Sequence, residues 1–192
     1  MLGEEGLLEE LAEKNIRQFK GLGVRKIITF SPHSYNVFKN SYPKYGGDFE
    51  VPHYTQILPQ LMQSGKLEAP VLNMKVTYHD PCFLGRWNGQ YDSPRKLLKT
   101  VKGIELAEME RNKKSALCCG GGGGGNFYTD FLGGSEDSPA RIRVREAHDT
   151  GAQVLAVACP NCLTMLEDAV KVEGLENDLK VRDISEIVNG ME

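Results

Sequence analysis

The sequence predicts an α/β fold with mainly parallel sheets flanked by helices, in two pseudo-repeated lobes of which the first is partial. Three observations support this prediction. Short apolar strands alternate with helices, glycines and helix caps mark the boundaries between them, and one strand–turn–helix unit occurs twice. Strands that alternate with helices are typical of parallel sheets, because each helix carries the chain back across the sheet.

The first lobe, residues 1–70, begins with apolar residues at helical spacing, which predict a helix over residues 7–19. An apolar run over 24–30 has the composition of a buried parallel strand. Pro32 suits the first turn of a second helix, and Thr55 suits the cap of a third. A short strand is expected at 49–53, between these two helices.

The second lobe, residues 71–192, continues the same alternation. Ser93, Ser138 and Asp183 are predicted helix caps, because their side-chain oxygens can accept from the free N–H groups of a first turn. The predicted strands are 76–78, 104–109, 154–158 and 179–181, and the predicted helices are 94–101, 138–149, 163–172 and 183–188.

The two lobes share one pattern when the chain is shifted by 128 residues. Gly23 then falls on Gly151, and the turn S-P-H-S at 31–34 falls on the turn C-P-N-C at 159–162. The predicted helix caps Thr55 and Asp183 also coincide. We therefore expect a duplication, in which this chain holds the end of one lobe and the whole of a second, cut from a longer protein.

Composition limits the classes of function. The 192 residues carry a net charge of −3 with no basic block, which argues against nucleic acid as a partner. No apolar run approaches the roughly 18–20 residues that span a bilayer, and the acidic start M-L-G-E-E lacks the features of a signal peptide. A cytoplasmic location is expected. In a reducing compartment, five clustered cysteines indicate metal ligands or catalytic thiols before disulfides.

The cysteines follow the pattern C-x35-CC-x39-C-x-x-C, and each group comes after a predicted strand. Because the carboxyl ends of parallel strands meet at one edge of a sheet, the groups are expected to gather there. The C-P-N-C pair stands at the start of a helix, where the helix dipole favours thiolates. The six glycines after Cys119 can turn backbone N–H groups inward as an anion nest. Five thiolates with such a nest fit an iron–sulfur cluster better than zinc, which takes four ligands.

Other interpretations remain open from the residues alone. The C-P-N-C pair is compatible with a thiol–disulfide exchanger, and three or four of the thiolates are compatible with a zinc site. The glycine run by itself is compatible with a flexible linker. A phosphate-binding loop is not supported, because no Lys-Ser or Lys-Thr follows the glycines.

The segments H-D-P-C, C-C-G-G and C-P-x-C together resemble the cysteine-rich CCG domain of the B-type and D-type subunits of heterodisulfide reductase and of related iron–sulfur oxidoreductases. The resemblance extends over nearly the whole chain and includes V-T-Y-H-D-P-C, L-G-R, M-E-R-N and L-T-M-L-E-D. It implies an oxidoreductase module with a [4Fe–4S] cluster, noncubane in some members, that passes electrons to a disulfide or quinone-linked acceptor. The alternative is a zinc-binding structural or docking module without redox activity.

The resemblance also implies site residues and partners. Partners would be other oxidoreductase subunits or domains, such as a ferredoxin-like domain or an electron-transfer flavoprotein, in a parent protein that in some relatives is membrane-associated. The implied metal ligands are Cys82, Cys118, Cys119, Cys159 and Cys162, and the backbone expected to contact the cofactor is that of Gly120, Gly121 and Gly122.

Three residues near Cys82 are candidates for a catalytic role. His79 and Asp80 could act at the cluster as hydrogen-bonding groups or proton carriers, or serve as a strand-end residue and a turn cap. Arg86 could flank a substrate mouth or pack at the surface.

In the first lobe, Ser31 and Ser34 stand where the repeat has cysteines. Serine is a poor ligand for soft iron–sulfur sites, so no cluster is predicted there. His33, between these serines, falls on Asn161 in the repeat. It could face the edge of the cluster, but it is expected to be a turn histidine without a metal partner.

Overall fold

A four-stranded parallel sheet lies at the centre of the computed structural model, which describes residues 4–122 and 135–191. The strand order is β2-β1-β3-β4, and all three neighbouring pairs are parallel. This arrangement confirms the predicted α/β class. The strands are β1 (Met74–Tyr78), β2 (Ile104–Ala107), β3 (Val154–Val157) and β4 (Lys180–Asp183).

Helices cover both faces of this sheet. Short 3-10 helices are formed by Tyr42–Tyr45 and Lys113–Ser115. The α-helices are α1 (Glu5–Gly21), α2 (Pro32–Asn40), α3 (Tyr54–Gln63), α4 (Asp92–Thr100), α5 (Pro139–Asp149), α6 (Pro160–Val172) and α7 (Ile184–Val188). Residues 123–134, which include the last three glycines of the run, lie outside the described residues.

β3 is buried at all four positions because a core lies on each of its faces. On one face, Val154 and Ala156 pack with residues of β1, α4 and α7. On the other, Leu155 and Val157 pack with residues of α5 and α6. The second core includes three buried cysteines, so candidate metal ligands are part of the hydrophobic packing.

The first lobe differs from its prediction. The predicted strand over 24–30 forms only two isolated parallel bridges, Lys26 with Glu50 and Thr29 with His53. The described residues place no second strand beside this segment, and Ile28 is 51% exposed. A run that pairs on one side and faces solvent on the other does not become a buried strand, despite its composition.

Two helices begin earlier in the chain than their predicted caps. The cap of α3 is His53 instead of Thr55, because the Gln56 side chain reaches back to accept from the His53 N–H at 2.9 Å. α4 begins at Asp92, before the predicted cap Ser93. The caps at Ser138 and Asp183 are confirmed, since both side chains accept from backbone N–H groups of their helices.

The repeated unit has a measurable register. Lys26 and Val154 lie 128 positions apart, as do the prolines that begin α2 and α6. Their parallel partners, Glu50 and Lys180, lie 130 positions apart. The shift of 128 therefore holds for the first strand and helix of the unit, and two more residues enter before the next strand.

Polar contacts from α2 and α3 join the first lobe to the second. Tyr54 Oη at the start of α3 donates to the Asp183 carboxylate, the cap of α7, at 2.8 Å. Asn88 Nδ2 donates to Asn36 Oδ1 of α2 at 2.9 Å. Tyr35 and Tyr54 also belong to the core on one face of the sheet, so the two lobes share hydrophobic packing.

A tight turn at Gly103 gives the first testable prediction. Gly103 has φ +82°, and a Cβ there would meet the Leu72 carbonyl oxygen at 2.5 Å. We expect Gly103→Ala to lower the free energy of unfolding by roughly 2–5 kcal/mol, from the left-handed backbone and the clash with main chain. The matched control is Gly23→Ala, where φ is +70° but no atom lies within 4 Å, and where about 1–2 kcal/mol is expected. If urea denaturation gave the two variants the same loss of free energy of unfolding, the clash with the Leu72 carbonyl would add no cost, and the prediction would be wrong.

Buried His53 gives a prediction for pH. Its Nε2 bonds to the Phe30 carbonyl at 2.9 Å and its Nδ1 to Thr55 Oγ1 at 2.9 Å. Burial lowers the pKa of His53 to about 4, although the bond to the Phe30 carbonyl opposes this shift.

The unfolded chain binds this proton more readily than the folded one. The contribution of neutral His53 to the free energy of unfolding is therefore fully present above about pH 6.5, and it is lost as the pH falls toward 4. The loss from His53 should reach about 3 kcal/mol. Urea denaturation of the wild type and His53→Gln at pH 7 and pH 4.5 measures it. Between pH 7 and pH 4.5, the free energy of unfolding should fall more for the wild type than for the variant. An equal fall in both proteins would contradict the lowered pKa of His53.

Candidate metal centre

A small cavity of about 10 Å³ opens where the carboxyl ends of β1 and β3 meet the start of α6. The segment after β1 contributes Cys82, and the segment after β3 contributes Cys159 and Cys162. The stretch before the glycine run adds Cys119, and the turn before α2 adds a wall from the first lobe. The lining residues are Pro32, His33, Pro81, Cys82, Phe83, Cys119, Gly122, Cys159, Asn161 and Cys162.

Four of the five thiols line this cavity, and the fifth, Cys118, lies beside Cys82. The sulfurs of Cys119 and Cys162 are 3.3 Å apart, and those of Cys82 and Cys118 are 3.9 Å apart. Cys119, Cys159 and Cys162 are buried, Cys82 and Cys118 are half-buried, and all five are free thiols. The parallel sheet therefore brings the three separated cysteine groups to one site.

Contacts between the sulfurs lower the pKa of some thiols and raise the pKa of others. Hydrogen bonds from Cys119 and Cys82 lower the pKa of Cys118 to about 2. The bond to Cys118 raises the pKa of Cys119 to about 12 and that of Cys82 well above its usual range. Negative charge in this group therefore concentrates on Cys118.

The C-P-N-C turn at the start of α6 also contains one thiol with a lowered pKa and one with a raised pKa. Cys159 is the N-terminal cap residue, Pro160 begins the helix, and Cys162 lies in its first turn. A hydrogen bond from Cys162 lowers the pKa of Cys159 to about 5, and a bond from His33 adds to the effect. Contact with Cys119 and Cys159 raises the pKa of Cys162 well above its usual range. A metal with positive charge would reverse the raised values, since coordination deprotonates thiols.

The first glycines of the run approach the sulfurs with their backbone. Gly120 has φ +80°, a conformation that favours glycine, and its N–H donates to the Cys118 sulfur at 3.3 Å. A hydrogen bond from the Gly121 backbone acts on Cys119. Gly122 lines the cavity itself. These contacts are the kind that an anion nest makes.

His79 lies behind the cavity and is fully buried. One of its ring nitrogens lies within 4.8 Å of the sulfurs of Cys119 and Cys162. Its Nδ1 accepts a hydrogen bond from Nε of Arg143 at 3.2 Å. Burial and the charge of Arg143 lower the pKa of His79 to about 3, so its ring is neutral at physiological pH.

Comparison with known proteins decides the family. Residues 76–167 match the model of the CCG cysteine-rich domain, a range that contains all five cysteines. These residues form a CCG cysteine-rich domain. The helices of the first lobe precede the CCG domain, and the last strand of the sheet and α7 follow it.

The relatives of this chain match almost its whole length. The probable iron–sulfur-binding oxidoreductase FadF of Bacillus subtilis is 42% identical over 97% of this chain, and the EtfAB:quinone oxidoreductase of Syntrophomonas wolfei is 41% identical over 97%. The D-type subunit of the dihydromethanophenazine:CoB–CoM heterodisulfide reductase of Methanosarcina barkeri is 35% identical over 96%. The chain covers 26%, 27% and 45% of these relatives' lengths, respectively.

One solved structure has a distant likeness to this chain. The glutamate racemase of Francisella tularensis aligns with 97% of this chain and 62% of its own, but with a TM-score of 0.43 and 14% identity. Such a distant likeness bears on neither fold nor function. Among the described residues of the chain, no helix has the length and apolar character needed to cross a membrane.

Asp80, a candidate from the sequence, lies in a buried ion pair. Its two oxygens accept from Arg95 of α4 at 2.7 and 2.8 Å, and Oδ2 also accepts from the Lys113 N–H at 2.8 Å. Arg95 makes a second bidentate pair with Glu108, at 2.6 and 2.8 Å. Asp80 therefore ties the Cys82 turn to α4 and to the segment that leads into Cys118.

Arg86, another candidate, links the same two segments from outside. Its side chain is exposed, and Nη2 donates to the Ala116 carbonyl at 2.7 Å. Its neighbour Trp87 is 67% exposed and stacks on Phe83, with ring centroids 5.8 Å apart. The mouth of the cavity therefore has an aromatic rim.

The residues around the CCG domain site were only partly predicted from the sequence. His33 lines the cavity, where its ring packs on Phe83 at 4.3 Å and helps to lower the pKa of Cys159. The shift of 128 was the available signal, since it aligns His33 with Asn161 of the cavity. No sequence pattern indicated the roles of Arg95 and Arg143, because the residues that they bind are distant in the sequence.

The donor set fits an iron–sulfur group. Thiolate sulfur is the ligand that iron–sulfur clusters take, and within the described residues the cavity is lined by thiols with no amine or carboxylate. Three buried nitrogens nearby, Nδ1 of His33, Nε2 of His79 and Nη2 of Arg143, have no hydrogen-bond partner among the described residues. Buried polar atoms of this kind call for a partner, and cluster sulfur is an acceptor.

The Arg95 network gives the prediction for this region. Arg95→Met should lower the free energy of unfolding by about 3–5 kcal/mol, because Asp80 would remain buried without a counter-charge. Urea denaturation of the reduced, metal-free protein measures it. Lys26→Met is the control, since it breaks an exposed pair with Glu50 and should cost at most about 1 kcal/mol. A similar loss of free energy of unfolding in the two variants would contradict the claim that burial makes the Arg95–Asp80 pair the more important one.

Proposed function

We propose that this chain is the iron–sulfur electron-transfer module of a heterodisulfide reductase-like oxidoreductase. The observation that carries the proposal is the convergence of five free thiols, four lining one cavity and Cys118 beside Cys82, with a backbone N–H directed at the Cys118 sulfur. The ligands would be Cys82, Cys118, Cys119, Cys159 and Cys162. Five ligands favour a [4Fe–4S] cluster of the noncubane type, since an ordinary cubane takes four thiolates.

Each part of the site has a stated task in this proposal. The cluster would supply the one-electron chemistry. The thiolates hold it, and the Gly120 and Gly121 N–H groups stabilise charge on their sulfurs. Burial of Cys119, Cys159 and Cys162 in the second core limits the access of water. The exposed rim at Trp87 leaves one side open for an electron acceptor or donor.

The acceptor and the partners are proposed from the relatives' names. One relative is named as an EtfAB:quinone oxidoreductase and others as components of heterodisulfide reductases. We infer a disulfide or a quinone-linked molecule as acceptor. Partners would be other oxidoreductase subunits or domains, such as a ferredoxin-like domain or an electron-transfer flavoprotein. The cytoplasm is the proposed location, and any membrane association of the parent protein would come from parts outside this chain.

A zinc ion is the second candidate, and one observation favours it. A ring nitrogen of His79 and the sulfurs of Cys119 and Cys162 lie within 4.8 Å of one another, which is compatible with three zinc ligands. In that case the chain would be a structural or docking module. Three such ligands leave the other three cysteines without a stated role, which is why the cluster is preferred.

Anaerobic preparation of the protein tests the proposal. We expect iron and acid-labile sulfide in equal amounts, with the broad visible absorption of an iron–sulfur cluster. Cys82→Ala should lose most of the iron, because it removes one ligand at the cavity. One zinc per chain without sulfide would overturn the cluster assignment.

Ser31→Ala and Ser34→Ala provide the matched controls. These serines occupy the positions of Cys159 and Cys162 in the repeat, and neither is proposed as a ligand. Their iron and sulfide contents should equal those of the wild type. Loss of iron from either variant would mean that the first lobe supplies ligands as well.

A further inference from the structure

A chain of buried polar groups stands behind the thiols, and the proposed ligands do not account for it. Arg143 of α5 and His79 after β1 are both fully buried, and Nε of Arg143 donates to Nδ1 of His79 at 3.2 Å. Nη1 of Arg143 donates to the Arg111 carbonyl at 2.7 Å and to Glu146 Oε2 at 2.8 Å. Other contacts therefore hold the guanidinium in place while it faces His79.

This contact fixes which nitrogen of His79 carries the proton. A guanidinium has donors and no acceptor, so Nδ1 of His79 must accept. The neutral ring then carries its proton on Nε2. A proton relay through His79 would need Nδ1 to take up a proton, and Arg143 occupies that nitrogen.

The remaining N–H is assigned to the sulfur site by elimination. Nε2 of His79 is buried and has no hydrogen-bond partner within 4–122 and 135–191. The sulfurs of Cys119 and Cys162 lie within 4.8 Å of a ring nitrogen. The nearest carboxylate along the chain, that of Asp80, is engaged by Arg95. A buried donor without a partner is unfavourable, and the sulfurs of Cys119 and Cys162 are the acceptors that lie close to the ring.

We propose that Arg143 is a positioning residue that holds His79 in the Nε2–H tautomer and so directs this N–H to a sulfur of the cysteine site. The identity of that sulfur, thiolate or cluster sulfide, rests on the proposed function, whereas the tautomer does not. When a cluster is bound, an N–H···S hydrogen bond withdraws electron density from the sulfur and raises the reduction potential. His79 is thereby a fixed donor that tunes the site.

Nitrogen-15 NMR of the reduced, metal-free chain tests the tautomer without any cluster. The wild type labelled at histidine should show an unprotonated Nδ1 and a protonated Nε2 for His79 at pH 7, with the resonances assigned by their loss in His79→Gln. A protonated Nδ1 or a charged ring would overturn the proposal. Arg143→Met should lose the single tautomer. Arg141→Met should keep it, because Arg141 lies on the same helix but pairs with Glu173.

The reduction potential of the loaded protein tests the direction of the N–H. Glutamine places its amide near the position of Nε2, so His79→Gln should keep a potential close to that of the wild type. Asparagine reaches only the position of Nδ1, so His79→Asn should shift the potential to more negative values. Arg143→Lys, which retains a donor, should shift it less than Arg143→Met.

Two results separate this proposal from the proposed function. If no iron and sulfide bind, the cluster assignment fails, and the tautomer measurement still decides the role of Arg143. If a cluster binds and His79→Gln and His79→Asn both have the wild-type potential, the N–H does not reach a sulfur and the proposal is overturned.

Discussion

The double ion pair of Arg95 is the interaction on which the rest of the site depends. One buried guanidinium binds Asp80 at the end of β1 and Glu108 beyond β2, and it also lies over the Tyr78 ring, 5.1 Å from its centroid. Burying these charges is unfavourable unless every one is paired. Since Asp80 also binds the Lys113 N–H, the network sets the distance between the Cys82 turn and the segment that leads to Cys118. The thiols can meet because this polar frame holds their backbones.

The first lobe contributes to the cavity although it carries serines where the second carries cysteines. Its turn before α2 covers one side of the cavity, and His33 packs on Phe83 and helps to lower the pKa of Cys159. The Tyr54 hydroxyl binds the cap of α7 and keeps the lobe in place. A strand–turn–helix unit without thiols therefore serves as a wall of the neighbouring site. This gives a physical reason for S-P-H-S to share the helix-starting geometry of C-P-N-C.

Much of the second lobe could be predicted because its signals are local. Alternating strands and helices indicated the α/β class, and Ser138 and Asp183 cap their helices as expected from their side chains. The strand at 24–30 could not be judged in this way, because burial depends on neighbours that local sequence does not reveal. The caps of α3 and α4 were displaced, since Gln56 captures the His53 N–H and Asp92 already adopts helical geometry. Boundaries of helices depend on such competition between adjacent side chains.

The sequence by itself determined the five cysteines, their placement after strands, and the glycines that bring backbone to Cys118. These features depend on residue type and short spacing, so they can be recognised without coordinates. Tertiary structure alone decided what surrounds the thiols: Arg95 on Asp80, Arg143 on His79, and His33 on Cys159. Each of these pairs joins residues that are 15 or more positions apart, and His33 and Cys159 are 126 apart. Such contacts arise only when the sheet and its helices have assembled, because packing selects which buried charges and rings meet.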